Sequence, residues 1–290
     1  MRNQKLGVCA DVRTEKSTTE ILEIISEVGF EAFFTGWSPD RDIAAYAKKA
    51  RELGLEYQSL HAPYSRIASL WRQDRVAADA AAAELKACLA DCARNEIGLM
   101  ISHVYIGFDE HPPVSQEGLD RFGALLRAAE DYGVRIAFEN TEGEEFLDAV
   151  LGAFRDDPYA GFCWDAGHEM CYNFSRDLLS DHGDRLLGTH LNDNLGVRDF
   201  GGKITWHDDL HLLPYDGIGD WRYNAERLNA CGYDGILTFE LNNHSKPGRV
   251  ENEKYARMSE REYLTEAYVR ACRFAAELQY VKQRAMREKG

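Results

Sequence analysis

Basic residues are in short supply in this chain. There are 34 Lys and Arg against 49 Asp and Glu, a formal net charge of -15 over 290 residues. Binding to phosphodiester backbones or anionic membranes relies on Lys and Arg to neutralise phosphate, so this balance argues against both classes of partner. Long apolar runs are also missing, and no stretch approaches the roughly 20 residues that a membrane helix needs. Met1-Arg2-Asn3-Gln4-Lys5 leads into a strand pattern without an apolar segment, so no signal peptide is expected. The seven cysteines are scattered, odd in number and form no Cys-x-x-Cys pair. Cys88 and Cys92 lie one helical turn apart, and with no His or Cys close in sequence they fit a packed helix face. No Gly-x-Gly-x-x-Gly turn follows the first strand, which counts against a doubly wound open sheet. With 44% hydrophobic and 29% charged residues, the composition is that of a reduced, cytoplasmic, soluble globular protein.

What the chain does contain is a regular alternation of strand and helix patterns. Strands are expected at 6–10, 31–36, 55–61, 99–106, 134–139, 160–165, 186–191 and 235–241. Helices are expected at 17–28, 42–53, 75–95, 118–132, 144–154, 176–180 and 223–231, with a long amphipathic helix over 259–287. A polar loop runs from His61 to Asp74, and the Gly-rich, aromatic segment 192–220 carries no convincing element. Loops of that length are usually functional. No linker or shift of composition divides the chain, so one domain over 1–290 is expected. Eight alternations suit an α/β (β/α)8 TIM barrel with a C-terminal helix, and a doubly wound open sheet is the competing arrangement. In a barrel of this kind the active site sits at the carboxyl ends of the strands.

Those ends are where the sequence is most unusual. Apolar runs terminate in His61, His103, Glu139, Asp165, His190 and Glu240, each a side chain able to bind a metal ion. In Phe162-Cys163-Trp164-Asp165-Ala166-Gly167-His168 a second such residue follows three positions later. Alone, that pair reads equally well as an aspartate capping a helix beside a surface histidine. The recurrence at strand end after strand end favours a cation site. His168, Asp209 and His211 offer further ligands, and carboxylates mixed with imidazoles match the needs of a divalent ion. His207 and Asp208 read as solvated loop residues, and His111, His182 and His244 as surface histidines.

Several segments together resemble the xylose isomerase-like barrel superfamily, and within it the sugar phosphate isomerase/epimerase group. They are Ser59-Leu60-His61-Ala62-Pro63, Ala137-Phe138-Glu139-Asn140, Cys163-Trp164-Asp165-Ala166-Gly167-His168, Gly188-Thr189-His190-Leu191-Asn192-Asp193-Asn194 and Asp209-Leu210-His211-Leu212-Leu213-Pro214. Asp220-Trp221 and Gly232-Tyr233-Asp234-Gly235, ahead of Glu240, continue the likeness. The resemblance implies one divalent ion held by Glu139, Asp165, His190 and Glu240, manganese or zinc first, cobalt or magnesium as alternatives. It implies that the ion binds two vicinal sugar oxygens and stabilises the enediolate formed when the intervening C–H loses its proton. Glu139 and Glu240 would transfer that proton on opposite faces, and His168 would bind a substrate oxygen. The arginine of these epimerases has no clear counterpart, Arg198 being the nearest.

The superfamily also contains abasic-site endonucleases with three zinc ions. Counterparts of all their ligands exist here: His61, His103, Glu139, Asp165, His168, His190, Asp209, His211 and Glu240. The acidic balance opposes a DNA substrate, since Arg66, Arg72 and Arg75 form the one candidate basic patch near the mouth. A small carbohydrate is therefore the expected partner, with no nucleic acid and no membrane, and a homo-oligomer remains open. Dehydratase or lyase chemistry on a cyclic polyol is a variant of the same mechanism. A non-catalytic binding barrel would be expected to have lost one of Glu139, Asp165, His190 and Glu240, and all are present. Trp37, Tyr64, Tyr105, Phe108 and Trp206 are candidates either for the floor of a sugar site or for plain packing.

Overall fold

A computed structural model describes residues 4–108, 111–197 and 203–289, the last without its side chain. Its elements run in the order β1 (Leu6–Cys9), α1 (Thr18–Val28), β2 (Ala32–Gly36), α2 (Ile43–Leu53), β3 (Glu56–His61), α3 (Arg75–Arg94), β4 (Leu99–His103) and α4 (Gln116–Tyr132). They continue as β5 (Arg135–Glu139), α5 (Glu144–Ala153), β6 (Ala160–Asp165), α6 (Ala166–Cys171), α7 (Leu178–His182), β7 (Leu186–His190), α8 (Trp221–Ala230), β8 (Leu237–Phe239) and α9 (Glu260–Lys289).

Local chemistry explains the punctuation. Ser17 caps α1 in a reciprocal box with Glu20, satisfying N–H groups that the first turn leaves unpaired. Gly29 ends the helix at φ 110°, a conformation that a side chain would resist. Asp42, Asp74, Asp177 and Asp220 cap α2, α3, α7 and α8 more simply, each carboxylate accepting one backbone N–H of the first turn.

All eight strands are parallel and join one sheet in the order β7-β6-β5-β4-β3-β2-β1-β8. The two ends meet at a parallel bridge between Leu191 and Phe239, where Leu191 N–H donates to Thr238 and Glu240 N–H donates to Leu191. This is a TIM barrel with a C-terminal helix, and the open doubly wound sheet is excluded. A large apolar core fills the space between the sheet and the surrounding helices. Inside the barrel, Leu99, Ile101, Ala137 and Cys163 form a separate apolar plug beneath the mouth. No helix among the described residues is long and apolar enough to cross a membrane.

The structure corrects several element boundaries. β4 stops at His103 instead of reaching residue 106, and a 3-10 turn, Ile67–Trp71, interrupts the loop expected to run to Asp74. Trp71 buries its indole there and donates to the carbonyl of Val104 at 2.8 Å. The expected helix over 176–180 lies at Leu178–His182, and α6 was not foreseen. Segment 192–220 holds no helix or strand among its described residues, only a bridge from Asp193 to Leu212.

Candidate metal centre and active site

Each candidate ligand sits where its strand delivers it. His61, His103, Glu139, Asp165 and His190 are the last residues of β3 to β7, and Glu240 follows β8 directly. Strand register sets neighbours side by side: His103 pairs with Glu139, and Asp165 with His190. Donor atoms of Glu139, Asp165, His190 and Glu240 all lie within 4.8 Å of one another. Four further groups among the described residues meet the same limit, among them His61 with His103 and Glu139, and His168 with Asp209 and His211. Glu139 belongs to the first two groups and is wholly buried.

The donors are held from behind. Nδ1–H of His61, His168 and His211 donates to the carbonyls of Ala62, Asn140 and Glu240 at 2.9, 2.9 and 3.1 Å. That leaves Nε2 of each ring facing the carboxylates, an arrangement typical of metal-binding histidine. His61 Nε2 lies 3.1 Å from Glu139, and His211 Nε2 lies 3.0 Å from Asp209 Oδ2. His190 turns its Nδ1 inward, 2.9 Å from Glu139 and 3.1 Å from Glu240, with its ring stacked on Phe34.

Asp165 fulfils both readings of its motif. Its carboxylate caps α6 by accepting the His168 N–H at 2.7 Å, and it also belongs to the four-residue group. His168, however, is buried and not a surface residue. Gly167 separates them for a spatial reason. A Cβ there would lie 1.8 Å from Oδ1 of Asn192, whose amide donates to both Asp165 oxygens at 3.1 and 2.9 Å.

The electrostatics are those of crowded, desolvated charges. Burial and the neighbouring carboxylates Glu139 and Glu240 push Asp165 up to about 6, against the pull of His168 and His211. Burial also opposes ionisation of Glu139, Asp209 and Glu240, yet adjacent imidazoles outweigh it and hold all three below the usual carboxylate range. His168 and His211 rise to about 10 and 9 despite burial, because Asp165 and Asp209 in the first case and Asp209 and Glu240 in the second favour their cations. Burial dominates at His103, which falls to about 4. Protons on histidine thus balance the carboxylates, a task that divalent cations accomplish more compactly.

The donor set fits such ions. Carboxylate and imidazole atoms converge within reach of common points, and His103 Nδ1 is buried without a hydrogen-bond partner among the described residues, while Asp209 Oδ1 has the imidazoles of His211 and His168 near it, at 2.9 and 3.6 Å. Cys163 Sγ lies close to Glu139 and His190 at the top of the apolar plug, where burial pushes its thiol above the ordinary range.

Above these groups the mouth opens into two adjoining cavities of about 400 and 410 Å³. Tyr64, Phe108 and Trp206 line them, whereas Trp37 and Tyr105 are buried in the core and serve packing. Asp208 is buried and not solvated, and its carbonyl accepts from Asn194 at 3.0 Å. His182 is also largely covered, with Nε2 2.8 Å from Asp148. Arg66 pairs with Glu84, Arg72 and Arg75 are exposed, and Arg198 lies outside the described residues.

Lys246 was missed by the sequence reading. Its ammonium meets Asp209 Oδ2 at 3.1 Å and the Trp206 carbonyl at 2.6 Å. It lies in an irregular segment beyond Glu240, where no periodicity marks it. Asp11, whose carboxylate accepts from Gly36 N–H at 2.7 Å and pairs with Arg41, also borders the mouth and was equally unmarked.

Residues 22–278 match the sequence pattern of the xylose isomerase-like TIM barrel family. The chain belongs to that family. An uncharacterized protein of Sinorhizobium fredii, y4fM, is 29% identical over 265 residues, covering 76% of this chain and 79% of that one. Among solved structures, an L-ribulose 3-epimerase superposes with a TM-score of 0.73 at 14% identity, covering 99% of this chain and 98% of its own. The IolI protein, solved with a bound zinc atom, gives 0.75 at 16% identity, covering 94% and 99%. At such identities the two structures share the family fold, and their names describe those proteins alone.

Proposed function

We propose that the protein is a divalent-metal-dependent isomerase or epimerase of a carbohydrate. The observation that carries this reading is the convergence of Glu139, Asp165, His190 and Glu240 within 4.8 Å beneath an open mouth. A divalent ion at these donors would acidify the C–H beside a sugar carbonyl by withdrawing electron density from its oxygen. Glu139, which ends β5, and Glu240, just past β8, would remove and return the proton. His168 and His211 can donate to sugar oxygens through Nε2. The similarity in fold to an L-ribulose 3-epimerase supports the same chemistry.

The test is exchange of a carbon-bound hydrogen with solvent deuterium, followed by proton NMR across ketoses, cyclic polyols and their phosphates with manganese supplied. Glu240→Gln keeps one coordinating oxygen but loses basicity, so exchange should fall about 100- to 10,000-fold. Equal rates in both proteins would remove Glu240 from the reaction.

The three donor groups favour a second reading, a trinuclear zinc phosphodiesterase. The net charge of -15 opposes it, as does the engagement of Lys246 by Asp209. Cleavage of abasic duplex DNA at physiological salt by protein carrying three zinc ions would establish it in place of the sugar reading.

A further inference from the structure

The two cavities of the mouth differ in chemistry. They share His61, Tyr64, Asp209, His211, Glu240 and Lys246, so they meet directly over the donor groups. One continues toward the ends of β1, β2 and β8, where Asp11, Gly36 and Asn242 present polar atoms. The other continues over β4 and β6 and is walled by Ile106, Phe108, Tyr172 and Trp206.

The aromatic wall begins at the histidines themselves. Tyr64 stacks on His103 with ring centroids 4.8 Å apart, Tyr172 leans on His168 at 5.0 Å, and Phe108 on Tyr172 at 5.6 Å. At the outer end Lys246 holds the carbonyl of Trp206 and lies 5.4 Å over its ring, which links the indole to Asp209. Tyr64 and Trp206 nevertheless remain 49% and 46% exposed. Trp206 rests against the His207 ring at 3.9 Å, and aromatic surface left this exposed beside a charged, buried centre marks a binding surface more than a packing one. A lone pentose or hexose fills less than one lobe, and its hydroxyls suit the polar one. The aromatic lobe would then hold only water.

We propose that the substrate is a glycoside whose sugar ring carries a ketone, which supplies the carbonyl beside the exchanging C–H, with that ring over Glu240 where the polar lobe begins and its aglycone ring on Tyr64, Phe108 and Trp206. This rests on the carbohydrate reading above. Sugar-ring C–H bonds and aryl rings both pack on aromatic faces, and the phosphate of a sugar phosphate would find in this lobe an ammonium already bound to a carboxylate.

Binding to the manganese-loaded full chain, measured by calorimetry, tests it without requiring turnover. The probes are methyl and phenyl β-glycosides of glucose, galactose and mannose, unreactive mimics that lack the ketone and report binding alone. At least one phenyl glycoside should bind about tenfold tighter than its methyl counterpart, as expected for burying one ring against two others. Trp206→Ala and Phe108→Ala should each shrink that preference to about threefold or less, while Trp206→Phe retains most of it. Equal affinities in the wild type, a preference surviving both alanine variants, or no binding of any probe would overturn the proposal. Loss of the aryl preference leaves the deuterium-exchange result standing, and failure of exchange leaves a measured aryl preference standing.

Discussion

The carboxylate of Asp193 accepts the indole N–H of Trp221 at 2.9 Å, joining the residue that follows β7 by three positions to the first residue of α8. The same carboxylate accepts backbone N–H from Asn194 at 2.8 Å, Tyr215 at 2.9 Å and Gly219 at 2.9 Å. A single buried anion therefore closes both ends of the segment that carries Asp209 and His211. Its partners are N–H groups that would otherwise be buried and unsatisfied. His211 takes φ 47°, unusual for a side-chain-bearing residue, and needs such restraint to persist.

Asp193→Ala should cost about 3 kcal/mol or more, because several donors lose a charged acceptor at once. Calorimetric melting should show a fall of at least about 6 °C, at roughly 2 °C or more per kcal/mol for a chain of this size. Zinc binding to the His168, Asp209 and His211 group should weaken more than binding to the group around Glu139. A variant melting with the wild type would show that the loop is held elsewhere.

Gly167 is the second point of leverage. Adding a methyl group there displaces the Asn192 amide that orients Asp165. Outer partners of metal ligands typically change affinity about 10- to 100-fold. Gly167→Ala should therefore bind manganese at least about tenfold more weakly after chelator treatment. Gly152→Ala, where the new Cβ meets nothing within 4 Å, is the control. In the wild type, manganese at about 100 times its dissociation constant should add roughly 2.7 kcal/mol of stability. Matching titrations for the two alanine variants would refute the role given to Asn192.

His111 supplies a pH dependence outside the metal donors. Its Nδ1 lies 2.7 Å from Glu145 and its Nε2 contacts Glu142, which also accepts the Gly107 N–H at 2.9 Å. Burial lowers the imidazole's affinity for its proton, but hydrogen bonds to Glu145 and Glu142 outweigh it, and the result lies above the ordinary histidine value. A raised folded value means that the contribution is fully present below the unfolded value of about 6.5 and disappears as pH rises through the folded one. Burial raises Glu142 as well, so its charged form needs the partner. Melting temperatures of wild type and His111→Gln should differ most near pH 6 and converge in mildly alkaline buffer. A difference that grows with pH would contradict this assignment.

The barrel and the residues at its mouth were legible because two regularities coincide. Parallel strands buried on both faces read as apolar runs, and in a closed barrel every such run ends at the same side. His61, His103, Glu139, Asp165, His190 and Glu240 could thus be gathered from sequence without any contact being known. Boundaries failed where tertiary contacts override local pattern. The six-residue α6 starts immediately after β6 because Asp165 caps it, and Ile67–Trp71 turns inward because the Trp71 indole finds the Val104 carbonyl. Residue type did not separate the aromatics. Trp37 and Tyr105 lie in the core while Tyr64, Phe108 and Trp206 face the mouth, since burial depends on which helix or loop arrives from elsewhere. Lys246 and Asn192 stand in irregular segments that carry no period to read, so only folding reveals that they meet Asp209 and Asp165. The division of the donors into groups, two of them sharing Glu139 and a third made of His168, Asp209 and His211, is likewise a property of distance alone, set by strand register and by the loop that Asp193 holds closed.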